Sequence, residues 1–247
     1  MEGNLTLSKS KINTFLQCPR KFKYRYIDEI KEEPNEYMQF GTDVHKIAED
    51  IANELIEKEN VNEETINDAI SNVNYEGEFD IKHHIEGLKE FFNDIYANNY
   101  EIFSAEEYIL DESDNLIGII DIVIKNKRDE LIIFDYKTGK PRSIDKYKLE
   151  LTVYKMLLES KYPNHKVISA GIYFTGDNAY RIANFDNAKE DYFTSQSKEK
   201  IKENDFEYVD KISQHIYKTI DRNYFVTRKG FMCKYCFYKD HCDNDFS

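Results

Sequence analysis

Leu116-Ile-Gly-Ile-Ile-Asp-Ile-Val-Ile124 and Leu131-Ile-Ile-Phe-Asp-Tyr136, the second running on through Lys137-Thr-Gly139, decide how this chain reads. Both are short, apolar and rich in β-branched residues, so they are predicted strands, with Arg128-Asp129 supplying the turn between them. Each carries one carboxylate, Asp121 and Asp135, in surroundings that are otherwise hydrocarbon. An ionised carboxylate is tolerated there when it is paired, hydrogen-bonded or metal-bound. Two such groups side by side repel unless a divalent cation lies between them. Lys137 follows Asp135 by two positions, which places both side chains on one face of a strand. Together these are the parts for phosphodiester hydrolysis: oxygen ligands for Mg2+ or Mn2+, which lowers the pKa of a bound water, and an ammonium to orient the water or stabilise phosphorane charge. Taken singly, Asp121 reads equally well as a strand-end cap, and Asp135-x-Lys137 as a local ion pair of small energetic value. The combination is what carries chemistry.

Working outward, 102–110 is a further strand, turned into the next at Asp114-Asn115. Downstream, a helix is expected over 145–160, strands over 167–174 and 180–183, and helices near 188–203 and 206–221. At the other end, Ser8-Lys-Ser10 can cap a helix through Ile12, Phe15 and Leu16, with Pro19 at its junction to the aromatic-basic run Lys21-Phe-Lys-Tyr-Arg-Tyr26. A loop is expected over 31–36. Phe40-Gly41-Thr42 then introduces a helix with Val44, Ile47, Ala48, Ile51, Ala52 and Leu55 on a helical period and His45 on its first turn. Residues 62–98 are helical and polar, with one apolar face formed by Ile85, Leu88, Phe91, Phe92 and Ile95, and are expected to be an insertion. The class is α/β. No repeat, low-complexity tract or Gly/Pro/Ser-rich linker divides the chain, so 1–247 reads as one domain: terminal segments 1–30 and 222–247, a helical region 44–100 and a core 101–185.

The four cysteines are unevenly spread: Cys18 near one end, and Cys233, Cys236 and Cys242 together at the other. Four core cysteines would scatter, and disulfides are disfavoured in a reducing compartment. A shared metal centre accounts for all four, and four thiolates complete the coordination of either zinc or a 4Fe-4S cluster. Such a clip joins segments more than two hundred residues apart and, by analogy with a disulfide, removes on the order of 5 kcal/mol of chain entropy. With every coordination position filled, its role is structural.

The net charge of -13 argues against a nucleic-acid ligand held by overall charge. Basic residues nevertheless cluster at Arg20, Lys21, Lys23 and Arg25, at Lys137, Lys140, Arg142, Lys146 and Lys148, and at Arg228, Lys229 and Lys234. No apolar run approaches the ~20 residues that cross a bilayer, and Met1-Glu-Gly-Asn4 lacks signal-peptide character, so no membrane association and a cytoplasmic location are expected. His83, His84 and His165 have no ligand spacing around them.

At this point the residues resemble a family. Gly118-x-x-Asp121 followed by Asp135-Tyr-Lys137-Thr-Gly is similar to the PD-(D/E)XK nuclease signature, with Asp in place of the commoner Glu at its middle position, as in the RecB-like branch. Phe40-Gly-Thr-Asp-Val-His45 resembles that branch's histidine motif, and Glu150-Leu-Thr-Val-Tyr154 its Gln-Leu-x-x-Tyr motif. Ser8-x-Ser10 through Cys18-Pro-Arg-Lys-Phe22, with the three C-terminal cysteines, resembles the iron-sulfur subgroup, which contains CRISPR-associated RecB-like exonucleases and the AddB nuclease domain. The five motifs run in order from about residue 8 to 242.

The resemblance implies a restriction-endonuclease-like core whose mixed sheet is flanked by helices, with a cysteine-ligated cluster joining the two ends. It implies metal ligation by His45, Asp121, Asp135 and the main-chain carbonyl of Tyr136, and Lys137 as the catalytic lysine. Tyr154 would help to position DNA or that lysine, although on its apolar helix face it reads equally as a core aromatic. Cys18, Cys233, Cys236 and Cys242 would hold a 4Fe-4S cluster. The implied activity is a Mg2+- or Mn2+-dependent DNA exonuclease acting on single-stranded ends. Alternatives are a processing endonuclease active with a CRISPR integrase or recombination complex, and a noncatalytic DNA-binding adaptor. Glu150 departs from the pattern, placing a charge where a neutral amide is expected.

Overall fold

Six strands lie in sequence order in one mixed sheet: β1 (Glu101–Asp111), β2 (Leu116–Lys125), β3 (Glu130–Lys137), β4 (Lys166–Phe174), β5 (Ala179–Phe185) and β6 (Lys200–Ile201). This is a computed structural model, and it describes residues 5–32, 36–58, 60–186 and 188–244. The first three strands form an antiparallel meander, whose turns place Asn115 and Asp129 at positive φ, a conformation their short polar side chains tolerate. β4 is parallel to β3, which requires a crossover, and α6 (Lys148–Lys161) supplies it after a single 3-10 turn at Ile144–Lys146.

The strand period of two sorts the core into two layers. From β3, Leu131 and Ile133 join Leu151, Leu157 and Leu158 of α6 on one face, together with α1 (Lys9–Gln17), α2 (Pro19–Tyr26) and α8 (Glu203–Asp221). Ile132, Phe134 and Tyr136 point to the other face, covered by α3 (Glu36–Ile56), α4 (Glu63–Ser71) and α5 (Lys82–Ala97). The polar segment expected as an insertion therefore shares with α3 the covering of this face of the sheet. Phe91 packs edge-on against Phe134 and Tyr136, the arrangement that ring quadrupoles favour. Gly87 allows this closeness: a Cβ there would lie 1.9 Å from the Thr175 carbonyl oxygen.

Three other expectations change. α3 begins at Glu36, so Gly41 and Thr42 lie within it and His45 stands on its third turn; residues 33–35 of the expected loop lie outside the described residues, as do residues 1–4. The helix expected over 188–203 is only the turn α7 (Tyr192–Ser195), capped by Asp191, followed by β6. Its reason is Asn184, whose side-chain amide donates to the carbonyls of Thr194 and Ser197 and holds that segment along the sheet edge. The run after Pro19 is a helix in its own right, with Pro19 in its first turn where no amide donor is needed. Among the described residues no helix is long and apolar enough to cross a membrane.

Candidate active site

β2 and β3 part where the two buried carboxylates stand. Their pairing runs from Lys125↔Leu131 to Ile122↔Phe134, and the next rung, Asp121 opposite Asp135, is open. The Tyr136 amide donates to Asp121 Oδ2 at 2.7 Å instead. The facing pattern of β2 slips at the same place: Leu116 and Ile120 belong to the α6 layer, Ile122 and Ile124 to the opposite one. In β1, Glu106 lies between the registered pairs Ala105↔Ile122 and Glu107↔Ile120, with φ at 46°. A left-handed glutamate within a strand costs about 1–3 kcal/mol and turns its side chain towards the fork.

Two groups of side chains meet at this fork. In the first, His45 of α3 places Nδ1 3.2 Å from Asp121 Oδ2, and donor atoms of His45, Glu106 and Asp121 lie within 4.8 Å of one another. An octahedral ion with bonds of about 2.1 Å sets its donors about 3–4 Å apart, so a small inward shift would close this set on a cation. The two carboxylates suit Mg2+ or Mn2+, and the imidazole beside them shifts the set towards the softer Mn2+.

The second group holds the lysine. Asp135 is fully buried; Oδ1 accepts from Lys9 Nζ at 2.9 Å and from the Tyr154 hydroxyl at 3.2 Å, while Oδ2 pairs with Lys137. Glu150 accepts from Lys137 at 3.1 Å and from Lys9. Burial alone would raise the Asp135 carboxyl, but the charges of Lys9 and Lys137 outweigh it and hold the group far below its ordinary range. Glu150 goes the other way, pushed up first by burial and then by Asp135. Both ammoniums are raised: burial works against them, and the carboxylates win. Gly118 sets the layer spacing, since a Cβ there would lie 2.7 Å from Leu157 Cδ1 and crowd Tyr154. His45, Glu106, Asp121, Asp135, Lys137 and Tyr154 all border a single cleft of about 400 Å³.

The structure thus gathers His45, Asp121, Asp135, Lys137 and Tyr154, but in two sets, with Asp135 in the lysine set. The Tyr136 side chain turns to the opposite face, and its hydroxyl is buried without a hydrogen-bond partner among the described residues. Two participants escaped the sequence reading, Glu106 and Lys9. The one available signal for Glu106 was a tandem Glu106-Glu107 inside a strand, where one of two neighbours must face inward. Lys9, between the two serines, looked like part of a cap.

Burial, followed by the negative charge of Asp121, pushes the Glu106 carboxyl up to about 7. Its hydrogen bond and charge interaction with Asp121 outweigh burial and raise His45 as well. A carboxyl raised on folding favours the native state most below its ordinary value near 4.5, and that contribution is lost as pH climbs through about 7. A cation must displace both protons. The rise in melting temperature caused by Mn2+ is therefore expected to be larger at pH 8 than at pH 6, measured by scanning calorimetry; equal shifts would place the ion elsewhere.

At the other end of α1, Cys18 lies between α1 and α2, and its Sγ accepts from the Arg228 amide at 3.4 Å. Gly230 donates to Cys233 Sγ at 3.3 Å, and Arg20 donates to the Val226 carbonyl at 3.2 Å. Cys18 and Cys233 both bond to the Arg228 main chain, and burial, then charge on Cys18, pushes the thiol of the fourth cysteine, Cys242, up. Among the described residues no three of them lie within 4.8 Å of one another. Tetrahedral zinc, with Zn–S of about 2.3 Å, would need sulfurs about 3.8 Å apart.

A family model described as the PD-(D/E)XK nuclease superfamily matches residues 6–243. Among solved structures, a protein from Eubacterium rectale provisionally described as an exonuclease is similar in fold, with a TM-score of 0.51 and 9% identity over 96% of this chain and 88% of its own. No curated protein matches the sequence.

Proposed function

The chain belongs to the PD-(D/E)XK nuclease superfamily, and on that premise we propose that it is a divalent-metal-dependent deoxyribonuclease degrading DNA from single-stranded ends. The observation that carries this reading is the meeting of the His45, Glu106 and Asp121 donors with a doubly held lysine in one cleft. Mg2+ or Mn2+ there supplies Lewis-acid stabilisation of the phosphoryl oxygens and a more acidic water. Within the chain, Lys137 orients the attacking water and neutralises charge gathering on phosphorus. Asp135 and Glu150 fix that ammonium, and the Tyr154 hydroxyl fixes Asp135. The Tyr136 main-chain carbonyl adds a further oxygen donor for the ion, with Asp135 at the cleft wall beside it. Ser8 and Ser10 on the cleft wall offer hydroxyls to the DNA backbone.

Cys18, Cys233, Cys236 and Cys242 hold a structural 4Fe-4S cluster in this reading, keeping α1, and with it Lys9, against the sheet. The resemblance to CRISPR-associated exonucleases makes a CRISPR integrase or a recombination complex the natural macromolecular partner. Incubation of linear and circular single strands with Mg2+, Mn2+ or EDTA tests the activity. Metal-dependent shortening of linear strands with circles left intact is expected. Cut circles would favour the endonuclease alternative, and binding of ends without shortening in either metal would refute the enzyme.

A further inference from the structure

Residues 222–239 contain five basic side chains and no acidic one, in a chain whose net charge is -13. Residues 19–26 repeat the bias, with four basic side chains and none acidic, and the two segments are packed together: Tyr24 stacks on Tyr238 with centroids 5.8 Å apart. Six of the fourteen exposed large apolar side chains among the described residues fall within 224–237, so the exposure is concentrated rather than scattered. Phe225 and Tyr238 anchor the segment by burial, while Tyr224, Phe231, Met232 and Tyr235 stand between 66% and 72% exposed. Lys234 sits amid them, with Nζ 3.9 Å from the Phe231 ring centroid and 4.6 Å from that of Tyr235.

Lysine is depleted from the centres of protein-docking surfaces, whereas rings interleaved with cations suit stacked bases and phosphates. We propose that this cysteine-bearing knuckle is a second binding site, for single-stranded nucleic acid, with bases stacking on Phe231 and Tyr235 and phosphates pairing with Lys229 and Lys234. Its position supports the choice of ligand. α1 starts at the cleft with Ser8, Lys9 and Ser10 and ends at Cys18 against Arg228, so about 14 Å of helix separates knuckle from cleft. One strand can occupy both, held at the knuckle while its end lies in the cleft. This rests on the nuclease reading for the nature of the ligand.

The test uses the whole 247-residue chain as purified anaerobically, with EDTA present, and reads fluorescence anisotropy of a labelled oligothymidylate across a salt series. Phe231→Ala with Tyr235→Ala is expected to weaken binding at least about tenfold with the salt slope unchanged. Lys229→Gln with Lys234→Gln is expected to flatten the slope of log affinity against log salt by about 1.4. Both pairs are exposed, so circular dichroism should report native folding. Wild-type affinity in both variants overturns the proposal. So does loss of self-association in sedimentation with oligothymidylate binding intact, which would make the knuckle a protein-docking face. Because no cleavage is read, a protein that binds through the knuckle but never cuts would sink the nuclease reading alone.

Discussion

Lys137→Ala is expected to lower the single-turnover rate of metal-dependent DNA cleavage by about 10²–10⁴-fold, with little change in melting temperature. The rate loss is that of a positioned proton-transfer or charge-stabilising group, about 3–5 kcal/mol of barrier. The fold should tolerate it, because the Lys137 side chain is 28% exposed where that of Asp135 is 1%, and Lys9 remains between Asp135 and Glu150 as their counter-ion. Asp135→Ala is a poorer probe. It would leave Lys9 and Lys137 sharing Glu150 alone, and removing one member of a buried charge set costs about 3–5 kcal/mol of stability. Lost cleavage would then be confounded with lost folding. Cleavage by Lys137→Ala within tenfold of wild type, in protein freed of contaminating nucleases, would overthrow the assignment of this cleft.

Cys236→Ser carries the largest stability effect expected. If the four thiolates share a cluster, the anaerobically purified wild type absorbs broadly near ~400 nm and contains iron and sulfide. The variant should lose that band and melt on the order of 10 °C lower, since a loop of more than two hundred residues is no longer closed and about 5 kcal/mol of chain entropy returns to the unfolded state. A colourless wild type containing zinc would replace the cluster assignment. Unchanged melting in the serine variant would remove the clip altogether.

Strands β1 to β5, the turns of the meander and the shared face of Asp135 and Lys137 were legible because each follows from a period of two and local turn chemistry. So was the Ser8 cap, whose hydroxyl accepts from the Lys11 amide. What stayed hidden depends on register between distant segments. Glu106 enters the site through a positive φ opposite the β2–β3 fork, and no residue preference announces a left-handed glutamate. Lys9 offered no signal either, because its carboxylate partners lie on β3 and α6. The false helix over 188–203 has the same origin: its polar pattern is indifferent, and Asn184 on a neighbouring strand decides. Glu150 illustrates the converse. It departs from the motif in sequence, and the structure balances it with Lys9, a second ammonium beside the Asp135–Lys137 pair.

Lys9 reaches Asp135 and Glu150 across 126 and 141 positions of chain, so this corner of the molecule cannot form by local folding. Pairings of such separation come late. During translation, a nascent chain that has exposed Asp121, Asp135 and Lys137 but not yet α6 lacks Glu150 and Tyr154. The nascent polypeptide would thus hold Lys137 without the carboxylate and hydroxyl that fix its surroundings until α6 has emerged and α1 has docked against it.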